Sequence, residues 1–282
     1  IYTLSLHDAL PICVSMDNRP IGFFDSGLGG LTCIASVSRR LPHEDIIYFG
    51  DTARTPYGSK SVKTIQRFSV EICDFLLQKN VKMIVIACNS VSATSLDFLR
   101  EKYKDIPIVG IIESAAEKAI DEARAGNKIG IIGTKATISS MAYKNIIERS
   151  VVGIEVAQKA CPAFVPLIEE GIIENDIMNL SVKYYLDHFI AENRINTLVL
   201  GCTHYPFIAN NIKRNYPNLK LIDPSDEVSR QIEKILKKKD IVACKDGNKQ
   251  FYASDVSDNF IRMVQEISED TNIAINIKDL AI

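Results

Sequence analysis

No apolar run approaches the roughly 18 residues that a membrane-spanning helix needs. The longest, such as residues 83–88, break within a few positions, so no membrane-spanning helix is expected. An excess of charge of one sign is missing too. Lys and Arg number 33 against 35 Asp and Glu, a net charge of −2, which leaves no overall electrostatic footprint for nucleic acid. The run Lys237, Lys238, Lys239 reads as a solvated helix end. Metal-ligand spacing is also absent. Cys13, Cys33, Cys73, Cys88, Cys161, Cys202 and Cys244 are scattered without a CxxC pair, and none of the four histidines pairs with another. That argues against a disulfide framework and a zinc ribbon, and it fits a reducing, cytoplasmic compartment. Gly27, Gly29 and Gly30 permit a tight turn but match neither GxGxxG nor a P-loop, so a dinucleotide or nucleotide-phosphate site gains little support.

What is present is ordinary globular material. The chain has 282 residues, 46% hydrophobic and 24% charged, enough for a buried core and about two domains. Residues 1–15 resemble translated sequencing adaptor and lack the basic and apolar regions of a signal peptide. They read as a non-native or disordered extension, with Met16 as the natural start. Thereafter short β-branched runs alternate with helical patterns. Strands are expected over 21–24, 46–49, 83–87, 108–112, 128–132, 153–157 and 197–201. Helices are expected over 31–40, 61–79, 92–103, 114–125 and 206–215. This alternation predicts an α/β fold with mainly parallel sheets and flanking helices.

Two internal echoes sharpen that expectation. Ile21-Gly22-Phe23-Phe24-Asp25-Ser26 resembles Ile129-Gly130-Ile131-Ile132-Gly133-Thr134. Ile84-Val85-Ile86-Ala87-Cys88-Asn89 resembles Leu198-Val199-Leu200-Gly201-Cys202-Thr203. Similar offsets suggest two related half-structures, each with a cysteine at the carboxyl end of a buried strand. Ligands of open α/β sheets bind outside such ends. A helix follows each cysteine, and a thiol near a helix N-terminus is expected to have its pKa lowered toward neutrality. Cys33, Cys73 and Cys244 read as small hydrophobes of the core, and Cys161 as structural. Asp25 could serve the site or simply cap the next helix. His204, two residues after Cys202, is placed for proton transfer. Glu169 and Glu170 after the apolar run 164–168 read by position alone as an exposed helix end.

The strings FFDSGLGGLT (23–32), YFGDTARTPYGSKS (48–61), IVIACNSVSAT (84–94), CPAFVPLIEEG (161–171) and LVLGCTHYPFI (198–208) resemble the glutamate racemases. The resemblance spans residues 20–282, with its five motifs in order. It implies a cofactor-independent racemase of the aspartate/glutamate group, with two similar domains in pseudo-twofold relation and the active site at their interface. The expected domains are 16–112 with 224–282, and 113–223. It also implies two-base chemistry at the α-carbon of glutamate, with no metal and no pyridoxal phosphate. Cys88 would take the proton from D-glutamate and Cys202 from L-glutamate, Asp25 assisting the first and His204 the second. Glu169 would support His204 or the substrate ammonium. Substrate contacts carry over to Asp25, Ser26, Tyr57, Gly58, Asn89, Ser90, Thr203 and His204. Ser90 departs from the usual Thr but keeps the hydroxyl, and Val91 replaces a common Ala. A homodimer and D-glutamate supply for peptidoglycan are implied as well.

The rival readings are an aspartate racemase, which the resemblance disfavours because Glu commonly stands in place of His204, a two-lobed amino-acid-binding protein, and a metal site built from Cys88, Cys202 and His204.

Overall fold

Residues 17–244 and 246–280 are described in this computed structural model. The expectation for residues 1–15, and Cys13 with it, lies outside the described residues. In chain order the elements are β1 (Ile21–Asp25), α1 (Leu31–Arg40), β2 (Ile46–Gly50), α2 (Val62–Gln78), β3 (Met83–Ile86), α3 (Asn89–Lys102), β4 (Ile108–Gly110) and α4 (Ile111–Arg124). Then follow β5 (Ile129–Gly133), α5 (Lys135–Ser139), α6 (Ala142–Ser150), β6 (Ala157–Ala160), α7 (Phe164–Glu169), α8 (Asp176–Asn193) and β7 (Thr197–Gly201). The chain continues with α9 (Ala209–Asn215), β8 (Lys220–Ile222), α10 (Pro224–Lys239), β9 (Lys249–Ala253), α11 (Asp258–Ser268) and β10 (Ile275–Ile277).

The strands form one sheet of order β10-β9-β2-β1-β3-β4 and another of order β6-β5-β7-β8. Every pairing in them is parallel. This is the α/β class expected from the alternation. Set aside β10 and β9, and both sheets follow one order, each counted from its own first strand: second, first, third, fourth. The sequence echoes fall on equivalent strands, β1 with β5 and β3 with β7. Within each sheet those strands are neighbours, with Phe24 opposite Ile86 and Gly133 opposite Gly201.

These central strands are buried along their whole length. A parallel sheet covered on both faces needs apolar side chains on both, hence their unbroken runs. Helix α2 shows the complementary helical period. Ser61 caps it by accepting from the Thr64 N–H at 3.3 Å, and Ile65, Phe68, Ile72, Phe75 and Leu76 bury one face. They pack with α3 residues Val91 and Leu99 against Phe24, Ile47 and Ile84 of the first sheet. Phe164, Met178, Val182 and Leu186 cover the outer face of the second sheet. A third cluster runs from Leu31, Val228 and Phe260 through Ala115, Ala119 and Ile147 to Phe23, Val85, Ile131 and Val199. It therefore reaches both sheets, with α4 and α10 packed against each other where they meet.

Several boundaries differ from expectation. Helix α3 starts at Asn89 rather than 92, so Cys88 itself stands at its N-cap. Residues 111–112 open α4 instead of extending β4. Strand β6 lies at Ala157–Ala160, not 153–157, and is only partly buried. The helix expected over 206–215 splits into a 3-10 turn, Tyr205–Ile208, and α9.

At the amino ends of the strands, opposite the cysteine turns, Lys82 and Glu44 form a buried ion pair at 2.6 Å. Lys82 also donates to the carbonyls of Asp17 and Ile241, and Glu44 accepts from the Ala243 N–H. The pair thus ties the chain before β1 and after α10 to the first sheet. Among the described residues no helix is long and apolar enough to cross a membrane.

Candidate active site

The carboxyl ends of β1, β3 and β7 carry Asp25 and Ser26, Cys88 to Ser90, and Cys202 to His204; Tyr57 and Gly58 follow β2, and Glu169 lies on α7. Asp25 closes β1 and is fully buried. The turn into α1 folds around it: its carboxylate accepts from the N–H groups of Gly27 at 3.2 Å and Gly30 at 3.0 Å. The Thr203 hydroxyl, from the turn after β7, reaches it at 3.5 Å. Burial pushes the Asp25 carboxyl up, against the pull of His204 and of the turn N–H groups.

Cys88 is 4% exposed, and its thiol lies 3.7 Å from the Ser26 hydroxyl. The expectation of a lowered thiol pKa fails here. Burial pushes Cys88 well up, and the negative charge of Asp25 adds to it. The Val91 N–H at the start of α3 and the Ser26 hydroxyl pull the other way without prevailing. A thiolate stripped of water costs more than one helix terminus returns. Cys88 is therefore a proton holder in the free protein.

The Cys202 side is built differently. Cys202 is 5% exposed, and its sulfur lies 3.9 Å from His204 Nδ1. His204 Nε2 lies 2.6 Å from Glu169 Oε1. Glu169 ends α7, and its carbonyl accepts from the Asn259 amide at 2.8 Å. Burial alone would pull His204 down, but its bonds to Cys202 and Glu169 outweigh that, and its pKa is pushed up to about 10. At neutral pH it is an imidazolium, a donor at both nitrogens, beside the Cys202 sulfur. The α1 turn leaves room for this ring only because residue 29 is Gly. A Cβ there would sit 2.5 Å from both His204 Nδ1 and Thr203 Oγ1.

The remaining residues divide. Asn89 and Ser90 open α3 beside Cys88, both buried. Ser90 Oγ lies 3.0 Å from Thr134 Oγ1 at the end of β5, so the hydroxyl that stands for the usual Thr bridges the two sheets. Gly58 packs against the same Thr134. The Tyr57 hydroxyl, by contrast, is spent on the buried Asp51, which also receives Arg54 at 2.7 Å and Ser254 at 2.9 Å. Of this loop, Pro56, Gly58 and Ser59 face a neighbouring cavity, and Tyr57 does not. That cavity, of ≈110 Å³, is lined by Gly58, Thr134, Cys161 and Val165 among others.

Sequence reasoning missed Thr134, Tyr143 and Asp51. Thr134 stands at the echo position of Ser26, a signal present in the sequence. Tyr143, on α6, donates to Asn89 Oδ1 at 2.7 Å, and nothing in its surroundings in the sequence marked it. Among the described residues no group of three or more His, Cys, Asp or Glu is placed to hold a metal ion, so the metal reading of Cys88, Cys202 and His204 finds no ligand cluster.

The chain matches the Asp/Glu/Hydantoin racemase family over residues 31–232. It is 43% identical over 248 residues to a glutamate racemase of Geobacter metallireducens, covering 87% of this chain and 91% of that one. The structure of a Francisella tularensis glutamate racemase in complex with D-glutamate superposes with a TM-score of 0.86 at 39% identity, over 94% of this chain and 99% of that one. A Bacillus anthracis glutamate racemase isoform superposes at 0.87 with 33% identity, over 94% and 98% of the two chains.

Proposed function

The chain belongs to the Asp/Glu/Hydantoin racemase family, and on that premise we propose that it is a glutamate racemase working through two thiols. One observation carries the reading: two buried cysteines stand at equivalent strand ends in unlike surroundings, Cys88 beside the Ser26 hydroxyl and Cys202 beside the His204 ring. Racemisation needs a base on one face of the α-carbon and an acid on the other. Two thiols in opposite protonation states supply both.

With L-glutamate, the Cys202 thiolate removes the α-proton. The C–H pair becomes the carbanion pair, and the Cys88 thiol delivers its proton to the opposite face. D-glutamate forms, and the charge has moved from Cys202 to Cys88. The reverse reaction retraces these steps. The partners suit this division: the His204 cation sits where the Cys202 thiolate forms, and burial with Asp25 keeps Cys88 protonated. Fixed donors must stabilise the carbanion and hold the two carboxylates. Asn89, Ser90, Ser26, Thr203 and the N–H groups at the start of α3 are at hand for this. The reading draws on no cofactor. It takes 16–112 with 224–282 and 113–223 as two lobes around the substrate. It includes a homodimer, which sedimentation velocity would test, and D-glutamate supply for peptidoglycan.

The test is circular dichroism of L- and D-glutamate in D2O, with Cys88→Ala and Cys202→Ala beside the wild type and L-aspartate as control substrate. Wild type loses the optical signal of glutamate and places deuterium at the α-carbon. Neither variant racemises, yet Cys88→Ala still exchanges the α-proton of L-glutamate, and Cys202→Ala that of D-glutamate, with retention. Racemisation by either variant refutes the two-thiol reading. Unchanged glutamate with turnover of aspartate, or with neither, refutes the substrate.

A further inference from the structure

Tyr143 is 1% exposed on α6, in the part of the chain that carries the second sheet. Its hydroxyl crosses to the first sheet's side and donates to Asn89 Oδ1 at 2.7 Å. Asn89 directly follows Cys88. The other end of the same amide, Nδ2, is buried with no hydrogen-bond partner. A buried amide donor left unsatisfied is destabilising, and a ligand that accepts from it would remove that cost. The ring of Tyr143 meanwhile lies over Gly201, the residue before Cys202, where an added Cβ would be 3.3 Å from Tyr143 Cε2. One side chain therefore touches the residue after one thiol and the residue before the other.

We infer that Tyr143 is a positioning residue: it fixes the Asn89 amide with its NH2 toward a substrate carboxylate and spans the two cysteine turns. The inference rests on the reading of Asn89 as a substrate contact. The orientation follows from hydrogen-bond supply. A phenol has one proton to give, and Asn89 Oδ1 takes it. A flipped amide would leave that proton without the acceptor it has. Burial holds the Tyr143 phenol well above its usual range, with the charge of Asp223 adding to it, so the donor persists at every working pH. The amide is thus aimed before substrate arrives, and ordering it is not charged to binding.

The test compares Tyr143→Phe, Asn89→Ala and the double variant in steady-state kinetics with both enantiomers. Tyr143→Phe is expected to raise KM about 5- to 10-fold, the loss of one hydrogen bond at 1.4 kcal/mol per decade, with kcat changed less than about 3-fold. In the Asn89→Ala background the same substitution should change kcat/KM by less than about 2-fold, because the group it orients is gone. A second measurement needs no folded Tyr143 variant. In 15N-labelled wild type, the Asn89 side-chain NH2 resonances should shift on adding D-glutamate. Unchanged KM in Tyr143→Phe, equal losses in both backgrounds, or unmoved Asn89 resonances overturn the inference. If Asn89→Ala itself leaves KM unchanged while wild type racemises, the underlying assignment of Asn89 falls instead.

Discussion

Replacing Glu169 by Gln tests the Cys202 half of the site with the least disturbance. Gln keeps an oxygen that can accept from His204 Nε2, now 2.6 Å away, and removes only the charge. A hydrogen bond to a charged group contributes ~1.5–3 kcal/mol and a neutral one ~0.5–1.5. The substitution therefore withdraws about 1–1.5 kcal/mol from the imidazolium, roughly one pH unit at 1.36 kcal/mol per unit. His204, pushed up to about 10 in the wild type, would titrate at about 9. The direction follows: the cation that supports Cys202 is present below its pKa, so the variant loses support earlier as pH rises. Polarimetric kcat/KM should match wild type within about 2-fold below pH 7 and fall up to about 10-fold relative to it above pH 9. An alkaline limb owed to the substrate ammonium is common to both proteins and cancels in that ratio. L- and D-glutamate have equal free energies, so kcat/KM must stay equal in the two directions at each pH, which checks the assay itself. Superimposable pH profiles, or a loss uniform across pH, would refute this account of His204.

Two further substitutions probe the frame around the site. Gly29→Ala puts a methyl 2.5 Å from His204 Nδ1 and Thr203 Oγ1. It should lower kcat/KM about 100-fold by displacing that ring, and cost ~1–3 kcal/mol in urea unfolding; undiminished activity would contradict the packing described. Lys82→Met strands the buried Glu44 carboxylate and should cost ~3–5 kcal/mol in urea unfolding, with Lys82→Met/Glu44→Leu recovering most of it. A loss below about 1 kcal/mol from the single variant would mean that the pair is not holding the amino ends of these strands.

The most readable parts of the chain were those where physics leaves few choices. Strands β1, β3, β5 and β7 lie between helical layers, so their sequences are continuous apolar runs, and their repetition announced two related sheets. Edge strands announce less. Strand β6, Ala-Gln-Lys-Ala, is half exposed and was placed several residues early, while β9 and β10 gave no signal of their own. Asn89 and Ser90 read as polar residues ahead of a helix expected from 92, yet Cys88 occupies the cap and both enter the helix. The strand-end positions of Cys88 and Cys202 were legible, but the raised proton affinity of Cys88 was not. Helix termini can be read along a chain, whereas the depth of burial that overrides them is a property of the packed whole. Glu169 makes the same point: it reads as a helix end, and only the fold puts it beside His204.

If the two thiols exchange roles in each turnover, the free protein carries a memory. On the two-thiol reading, L-glutamate is taken up with the negative charge on Cys202, and D-glutamate leaves with that charge on Cys88. The protein emerging from one turnover is primed to run backward. To repeat the forward step it must first return a proton from one sulfur to the other. With the thiols only 4% and 5% exposed, bulk water has little access to either, so that reset must pass through neighbouring buried groups such as Ser26, Asp25, Thr203 and His204 or wait for the site to open. At high substrate concentration the reset, rather than the breaking of the C–H bond, would then set the pace.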